Sequence, residues 1–253
     1  MIGTSCTQFA VEDFDSVHEK VSAHFSHWEI FAEWKHELSS AFPAFMRNRG
    51  SYDMTYSIHA PITDINIAAF NDRIRESAVQ EMIRTLEYAG KMNIDTITIH
   101  PGIYSMVLID VKREAIELSK RSLKKIDKAA TEYGVTAAIE NMPSFPIMMG
   151  QTADELLELI DGTDLKICFD IGHANTVGTI GDFIDRFSDR IANIHIHDNF
   201  GDRDAHMTIG DGKIDFPSVL SKLRNYKRNY IIEAKSLPSA IESKKRLEKL
   251  LAF

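Results

Sequence analysis

The stretch Ile94–His100 reads IDTITIH, a short run of isoleucines and threonines that ends in a histidine. An almost continuous apolar run of this length is typical of a strand whose two faces are both buried. A second run of the same kind, IANIHI, occupies Ile191–Ile196. Because strands of parallel sheets are covered on both faces, these two runs favour a parallel sheet.

Short β-rich runs recur along the chain and alternate with longer helical patterns. Eight strands are predicted, at Ile2–Cys6, Trp28–Ala32, Thr55–His59, Thr96–His100, Ala137–Asn141, Lys166–Asp170, Asn193–His197 and Tyr230–Ala234. Between them, apolar residues recur at a spacing near 3.6, as in the stripe formed by Ile74, Ala78, Met82, Leu86 and Ala89. A second helix is predicted around Ala115–Ala130, and a capping box of Thr152 and Glu155 begins a third.

Repeated strand–helix units imply parallel strands joined by right-handed crossovers. Eight such units favour a single α/β domain over residues 1–253, a closed (β/α)8 TIM barrel. An open, doubly wound sheet is the alternative, which the lack of a G-x-G-x-x-G motif after the first strand weakens. The segment Glu33–Arg49 is the least regular and is predicted to form a long loop with helical turns.

The composition narrows the classes of protein to which the chain can belong. Hydrophobic residues make up 44% and charged residues 26%, as in ordinary globular proteins. The net charge of −8 argues against a broad nucleic-acid surface. With only Cys6 and Cys168 and no apolar run long enough to span a membrane, the sequence predicts a cytoplasmic protein without a disulfide framework.

Nine side chains of types that can bind a metal lie at or just after the ends of six predicted strands. These are His59, His100, Glu140, Asp170, His173, His195, Asp204, His206 and Glu233. Since the carboxyl ends of all barrel strands meet at one face, the nine side chains are predicted to converge there. Imidazole and carboxylate together suit zinc, manganese or cobalt, so a divalent metal is the predicted cofactor, with one to three ions per chain.

Glu140 and Glu233 carry much of this argument, because each ends an apolar run and a buried carboxylate needs a compensating partner. A lone histidine at a strand end, by contrast, is more often structural. His197 is predicted to face differently from His195 and to support the structure or the site instead of binding metal. Other histidines are predicted to be surface or structural residues, namely His18, His24, His27 and His36.

Seven motifs spread over nearly the whole chain resemble the xylose isomerase-like barrel superfamily. They are HAPITDINIA (59–68), TIHPG (98–102), IENMP (139–143), FDIGHAN (169–175), HIHDN (195–199), DAHMTIGDGKIDF (204–216) and IIEAK (231–235). This superfamily includes sugar and sugar-phosphate isomerases and epimerases, and the endonuclease IV group of DNA-repair enzymes. The motifs are more specific for the superfamily than for one reaction.

Resemblance to the isomerases and epimerases implies a metal site of Glu140, Asp170, His195 and Glu233. Glu140 and Glu233 would act as acid and base, moving a proton of a sugar or sugar phosphate through a metal-bound enediolate. The predicted substrate-binding residues are His59, His100, His173, Asn141, Arg203 and Lys235. The glycines at 210 and 212 are predicted to form a plain turn, with an anion-binding turn as the alternative.

Resemblance to endonuclease IV implies instead a three-zinc site built from all nine side chains, and cleavage of phosphodiesters at abasic sites in DNA. Two features argue against it. Residues 60–63, APIT, lack the aromatic residue that endonuclease IV-like proteins insert into DNA after this histidine. Residues 31–40, FAEWKHELSS, have as many acids as bases where those proteins carry a basic loop.

The sequence therefore predicts a metal-dependent sugar or sugar-phosphate isomerase or epimerase. A zinc-dependent phosphodiesterase is the alternative, and a barrel that binds a ligand without chemistry is a third, less favoured reading. The predicted partner is a small-molecule sugar or sugar phosphate. Binding of nucleic acid is not expected but stays an open alternative, and no membrane contact is predicted. The oligomeric state is not predicted.

Overall fold

The computed structural model describes residues 1–108 and 110–252. Its eight parallel strands pair in chain order, and the last pairs with the first to close a barrel. The strands are β1 Ile2–Ser5, β2 His27–Phe31, β3 Thr55–His59, β4 Thr96–Ile99, β5 Thr136–Glu140, β6 Lys166–Asp170, β7 Ile191–Ile196 and β8 Tyr230–Glu233. The predicted (β/α)8 barrel is thus confirmed, and the alternative prediction of an open, doubly wound sheet is wrong.

Helices follow the strands and cover the outside of the barrel. The α-helices are α1 Phe14–Ser22, α2 Leu38–Asn48, α3 Asp72–Met92, α4 Lys112–Tyr133, α5 Ala153–Leu159, α6 Ile171–Val177, α7 Ile180–Phe187, α8 Phe216–Lys222 and α9 Leu237–Leu251. Two 3₁₀ turns occupy Thr7–Val11 and Trp34–His36. The helix predicted from the Thr152 capping signal is confirmed, since the Thr152 side chain accepts a hydrogen bond from the backbone N–H of Glu155.

The register of the strands brings the predicted site residues to one level of the barrel. Asp170 of β6 is opposite His195 of β7, and Glu233 of β8 is opposite Ser5 of β1. Phe31 of β2 is opposite His59 of β3. Because parallel strands end at the same face, these pairs form a ring at the carboxyl end of the barrel, where barrel enzymes carry their active sites.

The segment after β2 is more regular than the sequence suggested. Residues 38–48 form the α-helix α2, so the prediction of a long loop is wrong for this part. The Glu37 side chain accepts hydrogen bonds from the N–H groups of Ser39 and Ser40, which caps the helix. Leu38, Ala41 and Phe45 are buried at helical spacing, and this packing stabilises a short helix that contains a proline.

None of the described helices combines the length and the apolar composition that a membrane-spanning helix requires.

Candidate metal centre

A cavity of about 570 Å³ opens at the carboxyl end of the barrel. Seven of the nine predicted side chains line it, namely His59, His100, Glu140, His173, Asp204, His206 and Glu233. Asp170 and His195 are fully buried beneath them. The cavity lining also includes the apolar side chains of Phe31, Ile62, Met142 and Met148. The structure therefore brings all nine side chains to one place, below a pocket large enough for a small molecule.

The nine side chains, together with His197, are covered by three groups, in each of which one potential ligand atom per residue lies within 4.8 Å of the others, and two of these groups share Glu140. The central group is Glu140, Asp170, His195 and Glu233. The His59 group is His59, His100 and Glu140. The outer group is His173, His197, Asp204 and His206.

The central group is arranged around the Nδ1 atom of His195. This atom lies 3.0 Å from Oε1 of Glu140 and 3.2 Å from Oε1 of Glu233. Oδ2 of Asp170 lies 4.0 Å away. Each residue comes from a different strand, β5 to β8 in order, so the barrel closes one imidazole and three carboxylates around a single point.

Glu140 connects the central group to the His59 group, because its two carboxylate oxygens face opposite ways. Oε1 faces His195, whereas Oε2 lies 2.9 Å from Nε2 of His100 and 3.3 Å from Nε2 of His59. The Nδ1 atom of His59 lies 2.8 Å from the carbonyl oxygen of Ala60, an arrangement that leaves Nε2 turned towards Glu140.

The outer group is built by helix α6 and by the loop after β7. Asp170 caps α6, and its Oδ1 accepts a hydrogen bond of 2.6 Å from the N–H of His173, which fixes that residue one turn above the strand. Nε2 of His173 lies 3.4 Å from Oδ2 of Asp204, and Nε2 of His206 lies 2.9 Å from the same oxygen. The contact between Asp204 and His173 thus holds this loop against α6, where Asp204 and His206 line the cavity.

His197 was expected to face differently from His195, and this expectation is wrong. Side chains two residues apart on a strand share a face, and His197, directly after β7, follows this rule. Its ring is fully buried, and its Nε2 atom lies 3.3 Å from Oδ1 of Asp170 and 3.4 Å from Oδ1 of Asp204. His197 therefore belongs with the candidate metal ligands by position.

Glu29 is a buried carboxylate that the sequence analysis missed. It lies on β2 inside the barrel, and its Oε1 atom is 2.7 Å from Nε2 of His195. Its Oε2 atom accepts hydrogen bonds from the Ser57 hydroxyl at 2.8 Å and from the Asn193 amide at 2.6 Å. The signal in the sequence was a glutamate inside the apolar run HWEIF, comparable to the glutamates at 140 and 233.

The pKa shifts at the site follow from many carboxylates and imidazoles buried together. Burial alone would raise the pKa of Glu140, but His195, His100 and His59 lower it to well below its ordinary value. Burial would likewise lower the pKa of His195, yet the surrounding acidic groups raise it well above the ordinary value. The Glu140 carboxylate is therefore ionised, and the His195 imidazole is held in a strongly negative environment.

Metal binding fits this donor set. In the described part of the chain, Oε2 of Glu140 and Oδ2 of Asp170 are buried without a hydrogen-bond partner of good geometry. Buried polar atoms are nearly always satisfied, so such unpaired oxygens at the meeting point of several carboxylates fit a site for a cation. Imidazole and carboxylate ligands at these positions suit a divalent metal of the zinc, manganese or cobalt type.

Three residues that were predicted to bind substrate differ in their exposure and in their position relative to the cavity. Lys235 is exposed and lines the cavity. Arg203 is exposed and lies outside the cavity lining. Asn141 is fully buried, and its amide exchanges hydrogen bonds of 2.9 and 2.8 Å with the backbone of Asp170, so it ties β5 to β6 below the cavity.

The glycine turn after β7 follows the plain-turn prediction. Oδ2 of Asp198 accepts hydrogen bonds of 2.9 Å from the N–H groups of both Gly210 and Gly212. A Cβ on Gly212 would lie 2.3 Å from Oδ1 of Asp198, so glycine is needed for this approach. Since Asp198 already holds these N–H groups, the turn offers no free pair of donors to an anion.

The remaining histidines lie away from the site, in agreement with their predicted roles. His18 and His36 are buried against Trp28 in a cluster of aromatic rings outside the barrel wall. His27 is buried on β2, with hydrogen bonds to the hydroxyls of Thr55 and Ser57. His24 is exposed.

Comparisons with known proteins agree with this architecture. The family model described as the xylose isomerase-like TIM barrel matches residues 18–252. The uncharacterized protein MJ1311 of Methanocaldococcus jannaschii is 35% identical over 98% of this chain and 88% of its own length. A crystal structure of a D-tagatose 3-epimerase-like protein superposes with a TM-score of 0.92 and 32% identity, covering 99% of this chain and 97% of that one. A protein named "Probable endonuclease 4" of Acholeplasma laidlawii is 26% identical over 79% of this chain and 71% of its own.

Proposed function

The chain belongs to the xylose isomerase-like TIM barrel family, and we propose that it is a divalent-metal-dependent isomerase or epimerase of a sugar or sugar phosphate. The observation that carries this proposal is the placement of Glu140 and Glu233. Both line the same cavity, from strands β5 and β8, and both belong to the central group. Two carboxylates at one substrate site are what removal and return of a proton at carbon require.

Four residues would hold the metal, namely Glu140, Asp170, His195 and Glu233. When bound, a divalent metal would polarise the carbonyl and hydroxyl oxygens of a sugar and so acidify the neighbouring C–H bond. His195 and Asp170 are fully buried and do not line the cavity, so they serve as ligands only. Glu140 and Glu233 have a second carboxylate oxygen each and are the residues that can also reach the substrate.

The proton is exchanged by these two glutamates in our proposal. The lowered pKa of Glu140 keeps its carboxylate ionised near neutral pH, as a ligand and a proton acceptor must be. The Glu233 side chain is only 13% exposed, and this exposed part faces the cavity. Carboxylates on two different strands allow one to remove the proton while the other returns it, which is how an epimerase inverts a centre.

The cavity itself suits a small polyol better than a polymer. Its lining includes the polar groups of His100 and Lys235 and the apolar side chains of Phe31, Met142 and Met148, which would pack against the C–H face of a sugar. The relative with 32% identity and almost complete coverage is described as D-tagatose 3-epimerase-like, which supports a ketose as the substrate class.

A second function, zinc-dependent cleavage of phosphodiesters at abasic DNA sites, is favoured by one observation. All nine residues that resemble the three-zinc site of endonuclease IV lie together in the structure. Clustered metals of this kind activate water and stabilise the leaving oxygen of a phosphodiester. We rank it second because residues 60–63 lack an inserting aromatic residue and the chain is acidic.

The test is exchange of substrate C–H protons in D₂O, followed by NMR over a panel of ketoses and aldoses and their phosphates. The metal-loaded protein should introduce deuterium at one carbon, and Glu233→Gln should abolish this exchange. The surface variant Glu132→Gln on α4 is the matched control and should keep full activity. Absence of exchange across the panel, together with cleavage of DNA that contains an abasic site, would replace the first proposal with the second.

A further inference from the structure

We propose that His197 is a metal ligand, and that together with His173, Asp204 and His206 it forms a four-ligand site next to the central group. The nine-residue pattern to which the sequence bears a resemblance includes three of these residues and not His197. The inference therefore concerns a ligand that this chain adds, and it does not depend on the reaction proposed above.

The first observation is the environment of the His197 ring. The residue is fully buried, and neither of its ring nitrogens has a hydrogen-bond partner of good geometry among the described residues. A neutral imidazole carries one donor and one acceptor, and leaving both buried and unpaired is costly. The Nε2 atom is aimed at the carboxylates of Asp170 and Asp204, which is where a cation would lie.

The second observation is the spacing of the potential ligand atoms. In a tetrahedral site with metal–ligand bonds of 2.0–2.1 Å, neighbouring ligand atoms are separated by about 3.3 Å. Here Asp204 has one oxygen 3.4 Å from Nε2 of His197 and the other 3.4 Å from Nε2 of His173. Nε2 of His206 lies 2.9 Å from Asp204 as well. These contacts are close to that spacing, and one potential ligand atom from each of the four residues lies within 4.8 Å of the others.

The third observation is that the backbone makes room for this ring. A Cβ on Gly172 would lie 2.1 Å from Cε1 of His197, a distance that no side chain tolerates. The His206 ring stacks on His197 with centroids 4.1 Å apart, and His206 is held at a φ of 42°, which is uncommon for a residue other than glycine. The chain thus places two imidazoles side by side next to Asp204.

Four protein ligands have a consequence that three do not. Sites closed by four protein ligands are structural, whereas catalytic sites keep a position open for water or substrate. Asp204 and His206 lie in the loop after β7, which is joined to itself by the bridge between Asp198 and Met207. A metal in the outer group would therefore clamp this loop to α6 and fix one wall of the cavity.

One contact competes with this assignment, because Nε2 of His197 is also 3.3 Å from Oδ1 of Asp170. A histidine that only donated a hydrogen bond to Asp170 would orient a ligand of the central group. Loss of such an orienting residue weakens metal binding by about 10- to 100-fold. We expect loss of a direct ligand to weaken it further. The size of the effect, and which metal is lost, distinguishes the two roles.

The experiment measures zinc stoichiometry and affinity by competition with a chelator, for the unaltered chain and for His197→Gln. We expect the variant to lose one zinc with an affinity drop of more than about 100-fold, and to keep the remaining zinc unchanged. The matched control is His36→Gln, since His36 is equally buried with both ring nitrogens unpaired but packs on Phe14 and Trp28. Unchanged zinc content in His197→Gln would overturn the proposal.

A second measurement needs no variant and so does not depend on the folding of one. Crystals of the unaltered chain grown with zinc should show an anomalous peak about 2.0–2.1 Å from Nε2 of His197. A zinc held by His173, Asp204 and His206 alone, or no zinc in the outer group, would refute the assignment.

Discussion

Nε2 of His195 lies 2.7 Å from Oε1 of Glu29, at the bottom of the candidate metal centre. The opposite ring nitrogen, Nδ1, faces Glu140 and Glu233. Ligating histidines commonly turn their second nitrogen to a carboxylate, which fixes the ring and its tautomer. Glu29 thus positions His195 from the far side of the ring, although it lies on β2 and does not line the cavity described above.

The role of Glu29 predicts a defined loss of metal affinity. Glu29→Gln keeps the shape of the side chain but removes the negative charge beside Nε2 of His195. We expect metal binding at the central group to weaken by about 10- to 100-fold, measured by chelator competition. Ser57→Ala is the control, because it removes a single hydrogen bond to Glu29 and should have a much smaller effect. Equal losses in both variants would assign Glu29 to folding alone.

Glu140 belongs to both the central group and the His59 group, so its loss is predicted to affect more of these groups than the loss of another member. Glu140→Gln removes the charge shared by the central group and the His59 group, so isomerase activity should be abolished and at least one metal lost. The fold should be retained, because glutamine occupies the same volume. Circular dichroism checks the fold, and elemental analysis counts the metal. Full activity with unchanged metal content would contradict the assignment.

Removal of metal should lower the thermal stability of the protein. A metal that binds only the folded chain adds about 2.7 kcal/mol at a free concentration 100 times its Kd. For a chain of this size the corresponding increase in Tm is roughly 5–11 °C. Calorimetry before and after treatment with a chelator, and again after addition of zinc, measures the difference. A Tm that is independent of the metal would argue against occupation of the site.

Three buried histidines away from the site predict a loss of stability in acid. Burial lowers the pKa of His18, His27 and His36 from 6.5 to about 4 in the folded protein. The unfolded chain therefore binds more protons between these values, so stability falls as pH decreases from 6.5 to 4 and is intact above 6.5. Each fully shifted group contributes at most about 1.4 kcal/mol per pH unit.

His36 allows a clean test of this acid effect, because neither of its ring nitrogens makes a hydrogen bond in the described structure. His36→Phe removes the titration without removing a partner. Urea midpoints measured across pH 4–7 should fall less steeply for the variant than for the unaltered chain. Parallel curves would show that His36 does not take up a proton on unfolding.

Much of the site could be predicted from the sequence because its residues are local signals. A histidine or glutamate at the end of an apolar strand lies at the carboxyl-terminal face of a barrel, so the positions of His100 and Glu140 could be predicted from neighbouring residues in the sequence. The capping signal at Thr152 was equally local. The helix α2 was missed because its apolar stripe is short and contains Pro43, and packing against the barrel stabilises it.

Other features depend on residues far apart in the chain. Glu29 meets Asn193 and His195 across the inside of the barrel, a separation of 164 residues for the first pair. Asn141 was expected to face the substrate, but its amide is occupied by the backbone of Asp170. Arg203 lies in the loop after β7, and no local sequence pattern predicts the path of that loop.

By itself the sequence determined the order of strands and helices, the closed barrel and the face at which the nine candidate ligands meet, because periodicity and strand ends are encoded over a few residues. Only the tertiary structure decided which candidate ligands share a group, that His197 lies in the outer group, and that Glu29 lies behind His195. These outcomes depend on barrel closure and strand register, which bring distant side chains within a few ångströms.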